Sequence, residues 1–157
     1  MSQRTTHHDT FVIARTYPVP PARVFHAWAD PSAKARWFAC HDEWQSEGHE
    51  LDFRIGGREY LRSVPPGGPA HVYEARYQDI VPGQRIVYTY DMHLGDTRIS
   101  VSLATVEFRP AGSGTRLRFT EQAVFLDGAD SVASRERGTG ELLDTLGAAL
   151  AREPAAT

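Results

Sequence analysis

The chain has 157 residues, 41% hydrophobic and 24% charged, the length of one domain with ordinary globular usage, so a two-lobed enzyme, a fibrous chain and wholesale disorder are excluded. Against 20 Asp and Glu stand 17 Lys and Arg, a net charge of −3, with no basic block to follow a phosphate backbone and no apolar run long enough to span a membrane; neither nucleic acid nor a membrane span is expected. The single cysteine, Cys40, and a polar start without an apolar signal core suit a reducing cytoplasm.

Phe11 to Tyr17 is rich in β-formers and stops at Pro18, which predicts a first strand behind a disordered tail of residues 1–9. Pro20 and Pro21 open a short helix whose Val24, Phe25 and Trp28 form an apolar stripe. Asp30-Pro31 breaks it and caps a second short helix ending near Trp37-Phe38. The pattern then turns to period two, with strands near Gly48 to Phe53, Arg58 to Val64, His71 to Ile80, Arg85 to His93, Thr97 to Arg109 and Thr115 to Phe125. Gly56-Gly57, Pro65 to Pro69, Pro82-Gly83, Gly95-Asp96 and Gly112 to Gly114 separate them, and such short turns make neighbouring strands antiparallel. A helix from about Ser134 to Arg152 follows, apolar along Leu142, Leu143, Leu146 and Leu150, with Arg135, Glu136, Glu141 and Asp144 free to stay in water; Pro154 ends it.

This order predicts an α+β helix-grip fold over residues 10–153: a curved antiparallel β-sheet of about seven strands wrapped around a long C-terminal α-helix, with two short helices after the first strand. Strands gripping a helix leave a cleft at one end. The strings Ala27-Trp28-Ala29-Asp30-Pro31, Arg36-Trp37-Phe38, Asp52 to Arg58, Ile80 to Tyr88, Thr105 to Phe108 and Gly114 to Leu117 resemble the heat-shock-protein-90 ATPase activator homologue-like branch of the START-like (SRPBCC, birch-pollen-allergen-like) superfamily. The resemblance covers Thr10 to Arg152 and implies this fold; it implies no single activity, since the superfamily takes in lipid carriers, aromatase/cyclases, hormone receptors and co-chaperones. The run from Thr120 through Gly128 and from Arg135 to Leu143 looks like a bacterial subgroup without a catalytic motif to carry over.

Strand parity proposes which side chains meet inside. Ile86, Tyr88 and Tyr90, and next Ile99, Val101 and Leu103, are expected on the inner face, with Arg85, Thr89, Asp91, Arg98, Ser100 and Ser102 outside. Val106 and Phe108 join the inner set only through an extra residue near Ala104 or Thr105, a β-bulge. Leu117, Phe119, Glu121 and Ala123 continue inward. A carboxylate on that face is costly unless paired, so Glu121 is either a polar anchor or acid/base group at a pocket floor, or the partner of an arginine such as Arg62 or Arg135, or a wet strand end.

Tyr60, Tyr73, Tyr77, Tyr88 and Tyr90 would give an apolar wall with polar tips, suited to a flat or ring-shaped ligand, or simply pack their rings. Trp28 and Trp37 read as core residues docking the short helices, Trp37 near the cavity mouth. The candidate ligand-binding residues are Trp37, Tyr60, Tyr73, Tyr88, Tyr90, Val101, Phe119, Glu121, Leu142 and Leu146. The seven histidines show no metal-ligand spacing, Cys40-His41 are adjacent and unsuited to act as nucleophile and base, and Gly56-Gly57-Arg58 is a turn rather than a nucleotide loop. No metal or cofactor is expected.

The residues favour binding of a small hydrophobic or aromatic molecule, a lipid included. The alternative is a cofactor-free cyclase, hydrolase or isomerase using Glu121, with a tyrosine or His71, as acid/base. A co-chaperone that stimulates a heat-shock ATPase is least favoured, and a homodimer is left open.

Overall fold

The computed structural model describes residues 3–39 and 44–152; Cys40, His41 and Pro154, weighed above, lie outside the described residues. The elements run β1 (Thr6–Tyr17), α1 (Pro21–Ala29), α2 (Pro31–Phe38), β2 (Gln45–Leu51), β3 (Arg58–Val64), β4 (His71–Val81), β5 (Arg85–Leu94), β6 (Thr97–Ala111), β7 (Gly114–Leu126) and α3 (Val132–Arg152). All strand pairs are antiparallel. The seven-stranded sheet has the order β1-β7-β6-β5-β4-β3-β2, a meander of β2 to β7 closed at the far edge by β1. This is the α+β helix-grip architecture expected from the strand-helix order.

Turn chemistry explains the meander. Pro82 and Gly83 form the β4-β5 turn, where Gln84 N–H donates to the Val81 carbonyl at 2.9 Å and Gly83 takes φ 73°, a left-handed value that glycine adopts without strain. Asp30 caps α2 through its carboxylate, which accepts from Ala33 N at 2.9 Å, and Pro31 opens the helix where its missing N–H costs nothing.

The second strand is Gln45–Leu51 where about Gly48 to Phe53 was expected, and the start of β1 and the bulge in β6 also differ from the expectation. The first strand begins at Thr6, because β7 is long enough for Thr6–Asp9, assigned above to a tail, to pair with Ala123–Leu126. Polar side chains there face water while backbone groups complete the ladder. The bulge in β6 lies at Ile99, where the register jumps from Met92↔Ser100 to His93↔Arg98 and consecutive residues Ile99 and Ser100 are both buried. From that point Ser100, Ser102, Ala104, Val106 and Phe108 form the inner face in unbroken alternation. Val101 and Leu103, predicted inside, are therefore on the outer face at 40% and 37% exposure, and no bulge is needed at Ala104.

The terminal helix packs over the β1 side of the sheet. Leu143, Leu146, Ala149 and Leu150 are buried along its core-facing stripe. Tyr17 OH donates to the Leu143 carbonyl at 2.8 Å, and Gly147 leaves room for the Tyr17 ring, whose edge would lie 3.2 Å from a Cβ at that position. Arg135, expected in water, is buried on the same stripe. Because α3 sits toward β1, the inner face of β3 to β5 is covered by α2 and by aromatic side chains, with space left between α2, α3 and the sheet.

Candidate functional site

That space is a cavity of about 950 Å³, inside the roughly 300–1,000 Å³ range of ligand pockets. Trp37 and Phe38 of α2, Tyr73 of β4, Tyr88 and Tyr90 of β5, Phe119 of β7 and Leu142 of α3 are among the side chains that line it, together with charged and polar groups that include Arg36, Glu141, Asp144 and Arg152. The rings support one another edge-on or tilted: Phe38 and Tyr73 have centroids 5.0 Å apart, Tyr73 and Tyr90 4.9 Å, Trp28 and Trp37 4.8 Å. Trp37 is fixed by its indole N–H, which donates to the Ala27 carbonyl at 2.9 Å and so ties α2 to α1.

One end of the cavity is polar and centres on Glu121, which is fully buried. Its Oε2 accepts from Tyr90 OH at 2.7 Å and Ser102 Oγ at 2.8 Å, and pairs with Arg135 Nη1 at 3.3 Å. Arg135 Nη1 also donates to the Tyr90 oxygen at 2.9 Å, and Nη2 to Ser100 Oγ at 2.7 Å and Asp130 Oδ2 at 3.1 Å. Burial works against the Arg135 charge, but Tyr90, Glu121 and Asp130 outweigh it and hold the guanidinium above its usual range. Burial, reinforced by the Glu121 carboxylate, pushes the Tyr90 phenol far up, so it stays a donor. Tyr73 and Tyr88 are likewise raised, by burial first.

Among the described residues, three buried polar atoms of residues that line the cavity have no hydrogen-bond partner of good geometry: Glu121 Oε1, Tyr73 OH and Trp28 Nε1. Buried polar groups in folded proteins are nearly always paired, so three left over on residues that line one cavity stand out. The first accepts, the indole donates and the phenol can do either.

A second buried polar cluster lies beside the cavity. Lys34 and Glu59 are both fully buried and meet at 2.6 Å; Tyr77 OH donates to the same Glu59 oxygen at 2.8 Å, and His49 Nε2 bonds the other at 2.8 Å. The ammonium also stands 4.5 Å from the Phe38 ring centroid and 5.3 Å from that of Trp28. Burial works to raise the Glu59 carboxyl, but Lys34 and the hydrogen bonds from His49 and Tyr77 prevail and hold it below the usual glutamate range. The cluster pins α2, and with it Trp37 and Phe38, against β3 and β4.

Of the residues proposed from the sequence, Trp37, Tyr73, Tyr88, Tyr90, Phe119, Glu121 and Leu142 gather on the cavity. Leu146 is fully buried in the core and does not line it. Val101 is on the outer face for the reason given above. Tyr60 also points outward, because β3 alternates Glu59, Leu61 and Ser63 inside against Tyr60 and Arg62 outside, and the Arg58 guanidinium covers its ring at 5.2 Å. Of the alternatives for Glu121, the partner is Arg135; Arg62 pairs with Glu47 on the outer side.

Sequence reasoning named Arg135 only as one possible partner of Glu121, put Ser100 and Ser102 on the outer face where both are buried inside, and missed the Lys34–Glu59 pair. Signals existed: Arg135 stands seven and eight residues before Leu142 and Leu143, two helical turns along one stripe, and Lys34 shares a helical face with Trp37 and Phe38. Glu59 has the parity of Leu61. Among the described residues no three His, Cys, Asp or Glu side chains gather as a metal site requires, and no helix is long and apolar enough to cross a membrane.

Comparison with known proteins places these features in context. The sequence profile described as "Activator of Hsp90 ATPase homolog 1-like protein" matches residues 18–151. An uncharacterized protein from Rhizobium leguminosarum is 50% identical, with a TM-score of 0.93 over 97% of this chain and 100% of its own. A protein from Rhizobium loti is 48% identical, with a TM-score of 0.86 over 92% of this chain and 99% of its own. A protein from Chromobacterium violaceum shares 26% identity and a TM-score of 0.78 over 92% and 98%. Among curated proteins none matches the chain.

Proposed function

The chain belongs to the activator of Hsp90 ATPase homolog 1-like family, of the SRPBCC type, and from that premise we propose that it binds a small, mainly apolar molecule of aromatic shape in the cavity between the sheet, α2 and α3. The observation that carries this reading is a cavity of about 950 Å³ whose lining includes a cluster of mutually packed aromatic rings, with three unpartnered buried polar atoms on its lining residues. Burial of the ligand's apolar surface supplies affinity at roughly 25 cal/mol per Å². The polar atoms set its orientation, and the ion pairs at Glu121 and Glu59 hold the walls in place before the ligand arrives.

Mass spectrometry of the natively purified protein should find a stoichiometric aromatic or hydrocarbon-rich molecule released on denaturation. N-phenyl-1-naphthylamine should bind with enhanced fluorescence, and Tyr88→Ala and Phe119→Ala should weaken it while circular dichroism stays native. Equal binding by wild type and both variants would refute the assignment.

One observation favours a second reading. An unpartnered buried carboxylate oxygen on a cavity-lining residue suits proton transfer, so Glu121 could serve a cofactor-free cyclase, hydrolase or isomerase as acid/base. In that case Glu121→Gln would abolish turnover of the co-purified molecule and leave its binding largely intact.

A further inference from the structure

Resting on the cavity reading above, we propose that the polar end of the cavity selects a ligand bearing a hydroxyl or amine donor, whose hydrogen Glu121 Oε1 accepts, and turns away ligands that end in a carboxylate. The two oxygens of Glu121 are placed in opposite circumstances. Oε2 is saturated by Tyr90, Ser102 and Arg135. Those three groups come from β5, β6 and α3, so the carboxylate plane is set from three elements and cannot turn its second oxygen toward them without losing the first set. Oε1 is buried, lies on a cavity-lining residue and receives no donor from the protein. With the Arg135 guanidinium and two hydroxyl donors on Oε2, Oε1 is left as an acceptor, so the missing partner is an N–H or O–H.

Discrimination follows from the charges around it. The cation bonded to Glu121, Arg135, already divides its two terminal nitrogens among Glu121, Asp130, Tyr90 and Ser100, while Arg36 and Arg152 also line the cavity but make none of the bonds to Glu121 described above. A ligand carboxylate beside Oε1 would meet a second carboxylate oxygen with Arg135 already engaged, in a place shielded from water, where like charges repel strongly. A phenol or amine meets an acceptor that no protein donor has taken. A site built to bond a donor rejects the analogue that lacks it, because its own buried acceptor is then left unpaired.

The test uses one fluorescent ring system with three ends: 1-hydroxypyrene, 1-methoxypyrene and 1-pyrenecarboxylate, titrated into the full-length protein near pH 6, where the phenol is uncharged. Wild type should bind the hydroxyl compound about tenfold or more tightly than the other two, the size of one charge-assisted hydrogen bond. In Glu121→Gln the donors from Tyr90, Ser102 and Arg135 keep the amide oxygen on their side and leave its NH2 facing the cavity. The order should then invert in favour of the methoxy and carboxylate compounds. Tyr88→Ala should weaken all three by a similar factor and keep the wild-type order. Equal affinities in wild type, or a hydroxyl preference that survives Glu121→Gln, would overturn the donor assignment and leave cavity binding standing. Failure of all three to bind wild type would overturn both. Should Glu121→Gln not fold, the wild-type ranking decides the matter by itself.

Discussion

Arg135→Met is the sharpest test of how the polar end of the cavity is held. Methionine fills much the same length, so the change removes charge and hydrogen bonding with little loss of volume. It deletes the contacts to Tyr90, Ser100 and Asp130 at 2.9, 2.7 and 3.1 Å and the pairing with Glu121 at 3.3 Å. The dominant cost is what stays behind: a Glu121 carboxylate, fully buried, with two neutral donors and no cation. Removing one partner of a buried pair costs about 3–5 kcal/mol. In a domain of this length each kcal/mol lowers the melting temperature by roughly 2–4 °C, so a fall of about 6–20 °C is expected.

Urea titration followed by circular dichroism measures the loss, and an unchanged slope would show that both proteins unfold from equally compact states. The reasoning makes a second demand, because if a stranded charge is the cost, neutralising it must help. Glu121→Gln introduced into Arg135→Met should recover about 1–3 kcal/mol, a coupling of the size found for residues in one network. A loss below about 1 kcal/mol, or additive effects in the double variant, would refute the view that Arg135 compensates a buried Glu121.

The Lys34–Glu59 cluster should confer acid sensitivity. Glu59 is held below its ordinary range in the fold, so its contribution is complete above about pH 4.3 and drains away as pH falls through the lower folded value. Stability measured by urea titration from pH 6 to 2 should therefore fall less steeply in Glu59→Gln than in wild type, and parallel slopes would count against it. Leu146, fully buried where α3 meets the sheet, should cost about 2–5 kcal/mol on conversion to alanine, and a loss under about half a kcal/mol would reject its placement.

The element order was legible in the sequence because each signal is local. Two-residue alternation, the Pro82-Gly83 turn, the Asp30-Pro31 break and the leucine stripe of α3 each act over a few residues, and the structure reproduces them to within a few positions. The inward phase of Tyr88, Tyr90, Phe119 and Glu121 followed from parity counted from nearby turns. Parity failed at β6, where a single extra residue exchanges the two faces of the strand. Nothing in Arg98-Ile99-Ser100-Val101 shows where that residue sits, since Ile99, Val101 and Leu103 read as one unbroken apolar alternation. What settles the bulge at Ile99 is the partner strand β5, together with the pull of Arg135 and Glu121 on Ser100 and Ser102.

The same holds for the charged residues. From the sequence Arg135 could as well lie in water, and Lys34 gives no sign that its partner is 25 residues away. A carboxylate buried on a sheet must find a cation, and which cation reaches it depends on how α2 and α3 cross the sheet. That crossing is set by the Tyr17–Leu143 bond, by Gly147 against the Tyr17 ring and by the packing of Trp28 on Trp37. The Tyr17 contacts join residues far apart in the chain, so the identity of the elements and the inward phase of Glu121 are local properties, while the choice of its cation belongs to the tertiary structure.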